Sequence, residues 1–173
     1  IDLNLYEGEV LGLIGPNGAG KTTTIKMITG LYRKDAGKIY YEGQDYDDSF
    51  IKIKNNIGAI VENPDLFPFL SGREHLKQVA ILYPGTTDAD IDRVAHMLNL
   101  DKALDKKVKQ YSLGMKQRLG IACMLLAKNN LLILDEPFNG LDPQGIRDLR
   151  KMLRDLAEQE GITVMVSSHI LSE

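Results

Sequence analysis

A chain of 173 residues, 43% apolar and 26% charged, has the length and composition of one globular domain able to bury a core. A net charge of −3 and a pI of about 5.7 argue against a basic nucleic-acid-binding face, and a single cysteine excludes an internal disulfide. No apolar run approaches the ~20 residues of a membrane span and no leader pattern opens the chain, so a soluble, cytosolic protein is expected, with any membrane role arising through a partner.

Ile1-Asp2-Leu3-Asn4-Leu5 alternates apolar and polar residues, as a strand entered midway would. The final SSHILSE stops where a new helix would begin. Together they suggest a piece of a longer chain. VLGLI (10–14) is an apolar run of the buried-strand kind, followed by a glycine-rich turn and a helix from Lys21 to about Gly30. GKIYYEG (37–43) and IGAIV (57–61) predict strands. Ser71-Gly72-Arg73-Glu74 has the form of a capping box and predicts a helix start. A second helix is predicted from Asp88 to about Leu100 and a long, largely buried one from Leu113 to Lys128. His75 and His96 read as surface residues of these helices, and Cys123, inside IACMLLA, as a buried, inert thiol. LLILDE (131–136) predicts a buried strand ending in two acids. Asp142-Pro143 supplies an N-cap and a first-turn proline for a helix through Leu156, and ITVMVSS (162–168) predicts a last strand. Strands alternating with helices indicate an α/β fold with a mainly parallel sheet, into which the helical stretch of about 71–128 is inserted.

Gly15-Pro16-Asn17-Gly18-Ala19-Gly20-Lys21-Thr22-Thr23 contains G-x-x-x-x-G-K-[ST], the phosphate-binding P-loop. Glycines let the backbone curl until several N–H groups face one concavity, and the following helix adds its positive end. Lys21 adds a full charge for the β- and γ-phosphates, and the Thr22 hydroxyl suits Mg²⁺. Asp135 and Glu136 end a buried strand, where ligands of parallel α/β sheets bind. Asp135 would approach Mg²⁺, and Glu136 would orient or deprotonate an attacking water.

With these motifs the chain resembles the nucleotide-binding domain of ATP-binding cassette (ABC) proteins over essentially its whole length. GPNGAGKTT matches Walker A and LLILDEP matches Walker B. YSLGMKQR (111–118) is similar to the ABC signature at Ser112 and Gly114, and departs from it at Tyr111, Leu113 and Met115. NGLDP (139–143) is similar to the D-loop, and His169 to the switch histidine. The resemblance implies a P-loop NTPase core, an N-terminal antiparallel β portion and a helical subdomain, all within one ABC ATPase domain truncated at both ends. It implies ATP and Mg²⁺ as ligands and head-to-tail pairing with a second ABC domain, a copy or a paralogue. Ser112 and Gly114, at the start of a helix, would then bind the γ-phosphate of the partner's ATP, Asp142 would communicate between sites, and His169 would contact the γ-phosphate.

Glu62, in VENPDLFP, stands where the family's Q-loop glutamine approaches Mg²⁺ and the attacking water. A carboxylate there is able to ligate the metal but brings negative charge near a triphosphate. ENP together with SLGMKQR resembles a bacterial exporter group that includes bacitracin and lantibiotic resistance transporters. Tyr6 is the nearest aromatic candidate for stacking on adenine, but it sits in the turn YEGE, too close to the P-loop; the stacking residue is expected upstream of Ile1. The reading is therefore the ATPase subunit of an exporter, peripheral on the inner face of the membrane through a multi-spanning permease, with no nucleic acid as partner. Its alternatives are a soluble ABC ATPase acting on nucleic acid or ribosomes, and a silent nucleotide-binding module. The stretch from Thr24 to Tyr111 leaves no room for the long coiled coil of chromosome-organising relatives, and intact Lys21, Asp135, Glu136 and His169 argue against silence.

Overall fold

The computed structural model describes residues 1–169, so the helix expected after His169 lies outside the described residues. Among the described residues four parallel strands form the central sheet: β1 (Val10–Ile14), β4 (Ile57–Ile60), β5 (Leu131–Leu134) and β6 (Thr163–Ser168), in the order β1-β6-β5-β4. Val10 pairs with Val164, Ile133 with Met165, and Ala59 with Ile133. Side chains alternate across the sheet. Leu132, Leu134 and Val164 therefore enter the larger core, while Ile133 and Met165 meet Ile25 on the other face. Covered on both faces, β5 and β6 need near-continuous apolar sequence, which is what they carry.

Strand β1 corrects its expectation of burial: Val10 is 44% and Ile14 49% exposed. Among the described residues it pairs only with β6, and the face bearing Val10, Gly12 and Ile14 borders a groove along α6 (Pro143–Glu160). Residues 1–5 are not a strand; Leu5 instead packs partly buried on the smaller core. The strand expected over 37–43 shrinks to β2 (Tyr40–Tyr41), because Glu42 (φ 49°) and Gly43 (φ 74°) both take positive φ. That is the requirement of a tight two-residue hairpin turn, and the chain returns as antiparallel β3 (Gln44–Asp45).

Helix α1 (Lys21–Ile28) packs Ile25 beneath the sheet, and a short α2 (Phe50–Lys54), not read from the sequence, precedes β4. On the other face α3 (Gly72–Ile81), α4 (Asp88–Met97) and α5 (Leu113–Leu126) pack on one another, and α5 also meets β4 and α6. With neighbours on several sides, α5 is buried at Leu119, Ile121, Ala122 and Leu126. The Ser71 capping box forms: Glu74 N–H donates to Ser71 Oγ (3.1 Å) and Ser71 N–H to Glu74 Oε2 (2.6 Å). That backbone N–H, with Lys107 at 3.0 Å, holds the Glu74 carboxyl down to about 2. A second capping box, Thr87 with Asp90, was not expected. Helix α6 starts at the Asp142 N-cap, buries Leu149, Met152, Leu153 and Leu156, and ends at Gly161 (φ 68°). The periodicity matches one apolar stripe.

His96 is exposed, as expected, but His75 is not a surface residue. It is 5% exposed, packs against the Phe67 ring at 5.6 Å, and has no partner for Nδ1. Burial lowers its pKa and favours the neutral imidazole. Its sequence spacing put it on the same helical face as Val79, but the loop aromatic that covers it was not legible there. Burial pushes the Cys123 thiol up to about 12, so it is protonated at neutral pH.

A Cβ on Gly120 would lie 2.7 Å from Pro64 Cβ and 2.9 Å from Ile60 Cδ1. Helix α5 therefore rides directly on the segment after β4. Gly120→Ala gains about 1 kcal/mol of helix propensity, yet it forces a packed ring and strand to yield at about 1–3 kcal/mol. We expect a net loss of stability, read as a lower urea midpoint at unchanged slope. An equal or higher midpoint would show that the contact has slack.

Candidate functional site

The carboxyl ends of β1, β5 and β6 meet at one sheet edge. Gly15 N–H donates to Ser168 O (3.1 Å) and Asp135 N–H to Ile60 O (2.9 Å), which ties the glycine-rich turn to β6 and the acids to β4. Within the turn, Gly18 (φ 83°) and Gly20 (φ 93°) adopt left-handed backbone, and Gly20 is the N-cap of α1. A Cβ at either would meet nothing within 4 Å. Conformation, not space, therefore demands glycine there. Pro16, Asn17, Gly18, Ala19 and Thr23 are exposed around this turn.

Lys21 is only 8% exposed. Its Nζ donates to Gly15 O (2.7 Å) and Pro16 O (3.3 Å) and lies 3.1 Å from Glu136 Oε1. The other oxygen, Oε2, is 2.8 Å from His169 Nδ1. Burial raises the Glu136 pKa, but the bonds to His169 and Lys21 outweigh it and leave the carboxyl below its usual range. Glu136 is thus ionised at neutral pH, between two donors. Its backbone sits at φ 48°. Beside it, Thr22 Oγ1 donates to Asp135 Oδ2 (2.7 Å).

The structure therefore brings together Lys21, Thr22, Asp135, Glu136 and His169 from three chain segments. It adds Ser167, which sequence reasoning missed: its hydroxyl donates to Asp135 Oδ1 (2.5 Å) and accepts from Glu136 N–H (2.8 Å). The signal was present as two serines ending an apolar strand beside a histidine.

The remaining candidates stand outside this network. Ser112 caps α5, accepting from Met115 N–H at 3.3 Å, and Gly114 follows in its first turn. Asp142 Oδ1 accepts from Gly145 N–H at 3.0 Å. Glu62 has φ 74°, and its side chain is 74% exposed, 4.0 Å from Lys26 Nζ. Tyr6 lies in a turn, its carbonyl accepting from Glu9 N–H at 3.1 Å. No three Asp, Glu, His or Cys side chains converge as a metal cluster among the described residues. The Thr22 hydroxyl and Asp135 carboxylate nevertheless form a hard oxygen pair of the kind Mg²⁺ uses when phosphates and waters complete its shell.

Residues 1–139 match the ABC transporter family. The chain is 44% identical over 173 residues to the lantibiotic transport ATP-binding protein SrtF of Streptococcus pyogenes, covering all of this chain and 73% of that protein. It is equally 44% identical to the bacitracin transport ATP-binding protein BcrA of Bacillus licheniformis, covering all of this chain and 56% of BcrA. Several curated relatives are likewise spanned for little more than half their length. Among solved structures, the chain resembles the dimeric post-hydrolysis state of the ATP-binding cassette MJ0796 bound to ADP and Pi. The TM-score is 0.81 at 28% identity, covering 98% of this chain and 78% of that one.

Proposed function

The chain belongs to the ABC transporter family, and from that premise we propose that it is the ATP-hydrolysing part of an exporter whose membrane path lies in a separate permease. The observation that carries this reading is the Lys21–Glu136–His169 chain beside the Thr22–Asp135 pair, all at the carboxyl edge of the sheet. Backbone N–H groups from Gly15 to Thr23 and the N-terminus of α1 would bind the β- and γ-phosphates. The phosphates would compete with Glu136 Oε1 for the Lys21 ammonium. Thr22 and Asp135 would hold Mg²⁺, with Glu62 approaching from the segment after β4; when bound, the ion offsets phosphate charge.

The remaining chemistry belongs to side chains. A water oxygen attacks the γ-phosphorus in line and the bond to the β–γ bridging oxygen breaks, while the water proton passes to Glu136 Oε. The Glu136 carboxyl is ionised and so has an oxygen free of a proton, and moving Lys21 onto the phosphates would remove one of the bonds that hold its pKa down. His169 fixes that carboxylate from the far side and would reach the γ-phosphate. The N-terminus of α5, with Ser112 and Gly114, would take the γ-phosphate held by a second cassette, and Asp142, capping α6, would lie on the path between the two sites.

Among the described residues no helix is long and apolar enough to cross a membrane, which is consistent with a separate permease. The test is a pull-down of the full chain from detergent-solubilised native membranes, read by mass spectrometry. A stoichiometric multi-spanning protein is the expected companion. Ribosomal or DNA-associated proteins in its place would overturn the transport reading while leaving the ATP chemistry standing.

A further inference from the structure

We propose that Ser167 is a positioning residue for hydrolysis, one hydroxyl that sets the metal-side acid and the general base relative to each other; the proposal rests on the ATPase reading above. Ser167 is 0% exposed, preceded along β6 by the apolar Val164, Met165 and Val166 and followed by the buried Ser168. A hydroxyl buried in such a run is costly unless it is bonded. This one is bonded twice, and to both acids of the site. Its single hydrogen goes to Asp135 Oδ1 (2.5 Å), and its oxygen accepts Glu136 N–H (2.8 Å). With donor and acceptor both committed, the hydroxyl rotor is fixed.

Two consequences follow for the neighbours. Asp135 is held at Oδ1 by Ser167 and at Oδ2 by Thr22, so its carboxylate plane is set from both sides. Glu136, at φ 48°, has left-handed backbone that a non-glycine residue keeps only when its surroundings hold it. Ser167 holds it by the N–H, and the carboxylate then reaches Lys21 at 3.1 Å and His169 at 2.8 Å. An apolar residue there would remove one of the two holds on the Asp135 carboxylate and leave the Glu136 N–H without its acceptor.

The test compares the wild-type full chain with Ser167→Ala, Ser167→Thr and Ser167→Val, the last being the apolar shape match of the threonine variant. ATPase kinetics, fluorescent-ATP affinity and thermal melting are measured for each. For Ser167→Ala, nucleotide affinity is expected within about twofold of wild type while kcat falls roughly ten- to hundredfold, as for other supporting-shell losses. Ser167→Thr should recover most of that fall and Ser167→Val should not. In a Glu136→Gln background, Ser167→Ala should cost less than it does in the wild type, because the part of its effect that runs through Glu136 is already lost. A Ser167→Ala kcat within about twofold of wild type overturns the proposal. So does equal turnover for Thr and Val, or a loss that follows affinity or melting temperature. A wild type that binds ATP without hydrolysing it overturns the ATPase reading instead, and this inference with it.

Discussion

Lys21→Ala is expected to abolish productive ATP binding. The ammonium is nearly buried and rigidly directed, held by Gly15 O and Pro16 O at one edge of the glycine-rich turn. A hydrogen bond to a charged group contributes about 1.5–3 kcal/mol. Losing two such bonds to phosphate oxygens corresponds to a fall in affinity of roughly 10²- to 10⁴-fold. The substitution also removes the Lys21 ammonium from beside the Glu136 carboxylate, leaving His169 Nδ1 at 2.8 Å as its side-chain neighbour, so a modest drop in melting temperature should accompany it. A fluorescent-nucleotide titration separates the two effects. Wild-type affinity in the variant would remove Lys21 from phosphate binding altogether.

Glu136→Gln should behave in the opposite sense. The amide keeps the shape and a hydrogen bond toward His169 but has no basic oxygen to take a proton. Turnover is expected to fall by about 10²- to 10⁴-fold, the usual worth of a general base. Binding should persist or tighten, because Lys21 no longer has a carboxylate competing for it. A nucleotide complex that cannot reach products should accumulate as a dimer, visible by light scattering in the presence of ATP. Undiminished turnover would refute the role of Glu136.

Much of this site was legible because it is local. The turn from Gly15 to Thr22 carries its own conformational demand in Gly18 and Gly20, and Asp135-Glu136 announce the end of an apolar strand. The Ser71 and Asp142 caps are settled by residues three positions away, so they too could be read. What failed depends on partners distant in sequence. His75 is buried by Phe67, an aromatic in a preceding loop; Val10 and Ile14 are exposed because the face of β1 that bears them borders an open groove along α6; Ser167 matters through acids 31 and 32 positions earlier. A periodicity argument sees a residue's neighbours along its own element, and these three are decided by other elements.

The strand order also bears on how the chain comes into being. Strand β6 follows all the others in sequence yet lies between β1 and β5 in the sheet. The Gly8 N–H that steadies the start of β1 donates to Thr163 Oγ1, 155 positions away. During synthesis from the amino end, the glycine-rich turn leaves the ribosome early, and the acids follow much later. The strand that sets β1 beside β5 in the sheet is β6, made after both. Strand β1 therefore presents an unpaired edge until β6 has been made, while β5 waits only for the span of α6, and unpaired strand edges of this kind are where nascent chains are exposed to mispairing.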